Sequence, residues 1–204
     1  MTVNVHRRLV ALCAVGALVL TGCSQELPQT EAAPQPSEHE QFPTPTSEPI
    51  PTFEVPEYTT DLDLTAEEML AAEEALIGLQ RYIFVSEQVM KSGGEDTLNI
   101  DVVSVGDAKE GLEETADDFR SGGYNFTGKI VAKDFYLYEI STDKEQPRTS
   151  TISACLPGES WGIDDSSDET GSSGYTHEVE WIWDLELNGN VWKVSSQNLN
   201  YDHC

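Results

Sequence analysis

Between residues 177 and 187 the chain alternates almost without fault. His177, Val179, Trp181, Trp183, Leu185 and Leu187 fall on one face; Glu178, Glu180, Asp184 and Glu186 fall on the other, with Ile182 the exception. A period of two with one apolar side marks a strand that buries one face and wets the other. Asn188-Gly189 follows, the favoured pair for a tight type I′ turn, so residues 191–199 are expected to return as an antiparallel neighbour. Upstream the period changes. Met69, Ala72, Leu76, Leu79 and Ile83 recur at three- and four-residue steps, with Tyr82, Val89 and Met90 on a neighbouring face. This predicts a long amphipathic helix, opened by the capping box Thr65-Ala66-Glu67-Glu68 and closed by Gly93-Gly94. Ala108, Leu112, Ala116 and Phe119 predict another helix, started at Asp107 with Glu110 in capping position and stopped by Gly122-Gly123. Residues 98–105 fit either a short helix or a strand, and a short helix between the two is expected.

After Gly123 the texture turns aromatic and β-branched. Residues 124–140 predict one long strand, bent near Gly128 or Lys133-Asp134, and residues 148–155 a second, ended by Pro157-Gly158. Residues 159–174 are acidic and rich in Ser and Gly. They lack the spaced acids, central glycine and final glutamate of an EF-hand, so a solvated loop is expected. Helices followed by four strands give an α+β class: N-terminal helices packed on a curved four-stranded antiparallel sheet.

The first residues obey a different logic. His6, Arg7 and Arg8 form a basic head, residues 9–20 are apolar or small, and Leu20-Thr21-Gly22-Cys23 closes the run. A basic head, a short apolar stretch and small residues at a cut are the parts of a secretory signal, and the run is too short for an ordinary membrane-spanning helix of about 20 apolar residues. Leu20-Thr21-Gly22-Cys23 resembles the lipobox of bacterial lipoproteins. The resemblance implies cleavage between Gly22 and Cys23 and a diacylglycerol on the Cys23 thiol, which would be palmitate-like acyl chains holding the protein to a membrane. Three segments are therefore expected: a signal peptide over 1–22, a disordered tether rich in Pro and Glu over 23–63, and a folded domain over 64–204.

Charge and cysteine count narrow the function. Lys and Arg number 11 against 37 Asp and Glu, a formal net charge of −26, and the leader takes Arg7 and Arg8 with it. Such a chain is repelled by nucleic acid and by anionic headgroups. Cys13 leaves with the leader and Cys23 is taken by lipid, so Cys155 and Cys204 remain, and in an extracytoplasmic compartment they most simply form a disulfide. Metal ligation by Cys204, His203 and His177 is the alternative, although neither CxxC nor HxxxH spacing occurs. No metal or other cofactor is expected.

The order of elements also resembles the NTF2-like (SnoaL-like, cystatin-like cone) domain of actinobacterial lipoproteins. The matching residues are Ala71-Ala72-Glu73-Glu74 on the first helix, Phe119-Arg120-Ser121-Gly122-Gly123, Thr127-Gly128, Ala154-Cys155 and the closing Gly189-Asn190-Val191-Trp192-Lys193-Val194. That resemblance implies a curved sheet wrapping the long helix, with a pocket at the open end. Ketosteroid isomerases and dehydratases of this kind need a carboxylate base beside an oxyanion-stabilising pair. Here no local motif supplies such a trio.

His177, Trp181, Trp183, Tyr82, Tyr138 and Asp134 are the candidate pocket residues, expected as core and wall rather than catalytic machinery. The expected protein is a non-enzymatic, lipid-anchored envelope protein whose domain binds a small ligand or an envelope protein. The alternatives are an isomerase- or dehydratase-like enzyme and a phage-derived exclusion lipoprotein. Oligomeric state is open, a dimer included.

Overall fold

A computed structural model describes residues 47–143, 145–165, 178–200 and 204. All of them belong to one compact unit, Phe42–Cys204. The leader, including Gly22 and Cys23, and His177 lie outside the described residues. No described helix is long and apolar enough to cross a membrane.

The chain runs β1 (Tyr58–Thr59), α1 (Ala66–Lys91), α2 (Ile100–Val103), α3 (Gly106–Gly122), β2 (Tyr124–Gly128) and β3 (Lys133–Ser141). Then come β4 (Thr149–Leu156), a 3-10 turn (Gly158–Ser160), β5 (Trp161–Asp165), β6 (Val179–Asn188) and β7 (Val191–Asn200). This is a mixed α+β architecture in which the helices pack on a multi-stranded sheet. The main sheet has the order β1-β3-β4-β6-β7, and β2 pairs with β5 in a separate two-stranded sheet. It is therefore five-stranded and mixed, not four-stranded and antiparallel: β3, β4, β6 and β7 are antiparallel, and β1 adds to the edge of β3 in parallel.

That extra strand comes from the segment expected to be disordered tether. From Ser47 onward the chain is docked: the Asn99 side chain donates to the Ser47 hydroxyl at 2.7 Å and the Gln80 amide donates to the Glu54 carbonyl at 2.8 Å. Thr60 donates to the Leu137 carbonyl at 2.8 Å, and Ile50, Tyr58 and Leu64 pack on the core. Composition hid this because an edge strand of two residues leaves no periodic signal, and the exposed edge of β3 supplies the missing hydrogen-bond partners.

α1 begins at Thr65 with both arms of the capping box present. The Thr65 hydroxyl accepts from the Glu68 N–H, and Glu68 accepts from the Thr65 N–H at 2.9 Å. These bonds to the charged form hold the Glu68 carboxyl below the usual carboxylate range. Its buried face runs through Ala72, Ala75, Leu76, Leu79, Tyr82, Val85 and Val89, while Met69 is 45 % exposed. The stripe is thus rotated from the expected one. Gly78 explains how closely α1 approaches the sheet: a Cβ there would lie 2.8 Å from both the Cβ and the carbonyl oxygen of Trp192 on β7. α2 is short, as expected, and buries Ile100 and Val103. α3 starts one residue before Asp107, with Val105 at the N-cap and no side-chain cap. The Val105 N–H instead donates to the Val194 carbonyl at 2.9 Å, so tertiary docking on β7 sets that helix start.

The long strand expected over 124–140 is two strands in two sheets. Both positions foreseen as bends carry positive φ, 85° at Gly128 and 54° at Asp134. At Gly128 a side chain would also strike the Ser160 backbone, so glycine lets β2 end against the 3-10 turn. Residues 159–174 are likewise not all loop, since β5 pairs with β2 from Gly128↔Trp161 to Tyr124↔Asp165. The β6–β7 turn also differs. Gly189 has φ 66° and Asn190 is not among the positive-φ residues, which matches a type II′ rather than a type I′ turn.

Candidate functional site

A cavity of about 300 Å³ lies between the helices, the main sheet and the small sheet. α1 contributes Tyr82, Ile83, Ser86 and Met90, and α3 contributes Leu112 and Thr115. Opposite them stand Trp181 and Trp183 of β6 with Gln197 of β7, and Trp161 and Ile163 of β5 close a third side. Ile130 and Leu156 complete the wall. The volume is at the lower end of small-molecule sites, roughly 300–1,000 Å³.

Strand alternation places the two tryptophans side by side. Their ring centroids are 6.3 Å apart with planes 18° from parallel, a stacked aromatic pair. Trp183 is buried and Trp181 half-buried. The indole nitrogens of both are buried atoms without a hydrogen-bond partner among the described residues, as is that of Trp192 outside the cavity. Every hydroxyl hydrogen in the wall is engaged. Tyr82 donates to the Gln197 side-chain oxygen at 2.9 Å, Ser86 to the Tyr82 carbonyl at 2.9 Å, and Thr115 to the Gly111 carbonyl at 2.8 Å. Burial pushes the Tyr82 phenol up to about 12, so it keeps its proton at any physiological pH.

No Asp, Glu, His, Lys or Arg lines this cavity among the described residues. Of the residues expected together, Tyr82, Trp181 and Trp183 meet here; Tyr138 and Asp134 do not. Tyr138 is 45 % exposed on the outer face of the sheet, where its hydroxyl donates to Glu180 at 3.2 Å. Glu180, expected to be wet, is buried, and it also accepts from the Asn200 amide at 2.8 Å. Asp134 borders a different surface hollow, beside Pro56, Tyr58 and Phe135. Phe135 and Leu137 of the same strand are buried, so alternation along β3 turns Tyr138 to the opposite face.

Among the wall residues that escaped the sequence reading are Trp161 and Gln197. Trp161 was hidden in a supposed loop. Gln197 was hidden by a β-bulge: Leu185 pairs with Val194 but Asp184 pairs with Ser196, so Ser195 is an extra residue in β7. The inward set therefore changes from Trp192 and Val194 to Gln197 and Leu199. A strict period of two would have sent Gln197 outward.

On the outer face, Cys155 is joined to Cys204 by a disulfide with Cα atoms 6.0 Å apart. Among the described residues no group of His, Cys, Asp and Glu is arranged to hold a metal ion.

No family model and no curated protein matches the chain. Among solved structures it is similar to the crystal structure of the intermembrane space region of chloroplast protein ARC6. The identity is 8 % and the TM-score 0.49, over 65 % of this chain and 96 % of that one. It is also similar to the solution structure of a de novo β-sheet design protein, at 12 % identity and a TM-score of 0.26, over 60 % and 88 % of the two chains. The functional reading accordingly rests on the chain's own residues.

Proposed function

We propose that this protein is a lipid-anchored cell-envelope protein whose folded body is an NTF2-like cone that binds a small apolar ligand without transforming it. The observation that carries the binding reading is the cavity faced by Tyr82, Trp181 and Trp183, which holds large apolar surface and, among the described residues, no ionised group. Proton-transfer chemistry needs an acid or base within hydrogen-bond reach of the reacting atoms. A wall of indole, aliphatic and already engaged hydroxyl groups suits retention rather than turnover. Three helices ahead of β2 to β7, with the cavity between α1, α3 and the sheet, support the cone. The Leu20-Thr21-Gly22-Cys23 box supports the anchor, and the disulfide suits an oxidising compartment outside the cytoplasm.

Two measurements test this. Cys23→Ser, expressed in a bacterium that processes lipoproteins, is expected to move the protein from the detergent phase to the aqueous phase; retention in the detergent phase would overturn the anchor. A panel of uncharged bicyclic hydrocarbons and ketones, added to the soluble chain, is expected to raise its melting temperature. A panel without any shift would overturn the ligand reading.

A further inference from the structure

Beside the cavity lies a second hollow, of about 600 Å³, and Ile83 and Ile130 line both. Phe53, in the segment that precedes β1, packs edge-on to Phe84 of α1 with ring centroids 6.1 Å apart, and Val131 and Phe135 join them in the wall. The α1 residues that border the hollow run from Gln80 to Lys91, about 16 Å of helix, so its shape is that of a slot.

The charges of the slot gather at one end. Among the described residues Glu87, Lys91 and Lys129 are the charged groups that border it. Glu87 pairs through one oxygen with Lys91, the last residue of α1, and through the other accepts from the N–H of Ile130, the residue after Lys129. Glu87 is thereby spent and Lys129 is left over: its ammonium makes no ion pair or hydrogen bond among the described residues. Lys109, Arg120, Lys133 and Arg148 each have an acid partner, as is easily found in a chain with 37 acids and 11 bases. An apolar slot with one uncompensated positive charge at its end is the complement of an amphiphile with one negative charge.

We propose that this slot is a second binding site, for a free fatty-acid carboxylate. The linear tail lies along Phe53, Phe84, Val131 and Phe135, and the head meets Lys129 and Lys91. The chain's formal charge of −26 does not prevent this, because at physiological salt exposed charges more than about 8 Å away are largely screened and the carboxylate meets the two lysines at close range. A membrane of anionic headgroups is a different case, since it faces the acidic surface as a whole. The inference is independent of the ligand reading for the neighbouring cavity.

Decanoate, decanol and decyltrimethylammonium share a tail and differ in the charge of the head. They are titrated calorimetrically into the full mature chain carrying Cys23→Ser, so that no detergent competes for the slot. Decanoate is expected to bind about fivefold more tightly than decanol, the upper end for an exposed ion pair, and the cation most weakly. Lys129→Gln and Val131→Glu, both at exposed positions, are each expected to shrink that preference below about twofold without lowering the melting temperature. A preference that survives either substitution puts decanoate elsewhere and overturns the inference. So does failure of decanoate to bind, or binding of decanol or the cation as tight as that of decanoate; none of these touches the uncharged-ligand reading of the neighbouring cavity, which the bicyclic panel tests. Flotation of the same chain with phosphatidylglycerol vesicles is expected to leave it unbound. Flotation that Lys129→Gln abolishes would give the lysine to a membrane headgroup and overturn the free-acid assignment.

Discussion

The Tyr82 hydroxyl donates to the Gln197 side-chain oxygen at 2.9 Å, tying the long helix to the last strand across 115 residues of sequence. The contact joins two residues of the cavity wall, a buried ring and an exposed amide.

Tyr82 should make stability fall at alkaline pH. Its phenol is raised by burial from 10.0 to about 12 in the fold, so between those values the unfolded chain has lost a proton that the folded chain keeps. Stability from this group is fully present below pH 10 and is lost as pH rises towards 12, by about 1.4 kcal/mol per unit and about 3 kcal/mol in all. Urea titrations of the parent and Tyr82→Phe at pH 8, 10 and 11.5 give the check. The difference between them should change sign or shrink as pH rises, and parallel pH profiles would refute the assignment.

Glu87 is buried on α1, where it accepts from the Ile130 backbone N–H at 2.7 Å and pairs with Lys91 at 2.5 Å. It thereby fixes the segment between β2 and β3 whose Ile130 forms part of the cavity wall. Glu87→Leu leaves that N–H without an acceptor and is expected to cost about 1–3 kcal/mol. Glu87→Gln, which keeps an acceptor, should cost less than half as much in the same denaturation experiment.

Cutting the Cys155–Cys204 bridge is expected to destabilise the fold through the unfolded chain. The bridge closes a loop of 49 residues, which on the chain-entropy account is worth about 4 kcal/mol. Cys204→Ser should lower the urea midpoint accordingly, while the parent shows no thiol labelling until it is reduced. Two reactive thiols in the oxidised, folded protein would exclude the bridge.

Several of these relationships were legible in the sequence. The Thr65 capping box, the apolar stripe of α3 through Phe119, the inward set of β6 and the cysteine pair all depend on near neighbours or on counting. Side-chain direction repeats every 3.6 residues in a helix and every two in a strand, so such faces can be read without knowing the partner. The capping hydrogen bonds of Thr65 are closed within four residues, and so they too need no tertiary context.

What the tertiary structure decided are the features whose partners lie far away in sequence. Tyr58 and Thr59 become a strand because the edge of β3 offers unpaired backbone groups. Residues 124–140 divide because β2 finds β5 while β3 finds β4, and Gly128 turns where Ser160 leaves no room for a side chain. Gln197 faces the cavity because one extra residue at Ser195 reverses the alternation of β7, and nothing local to that strand reports the insertion. The cavity wall was half predictable for this reason: Tyr82, Trp181 and Trp183 follow from periodicity, whereas Trp161 and Gln197 follow from pairing.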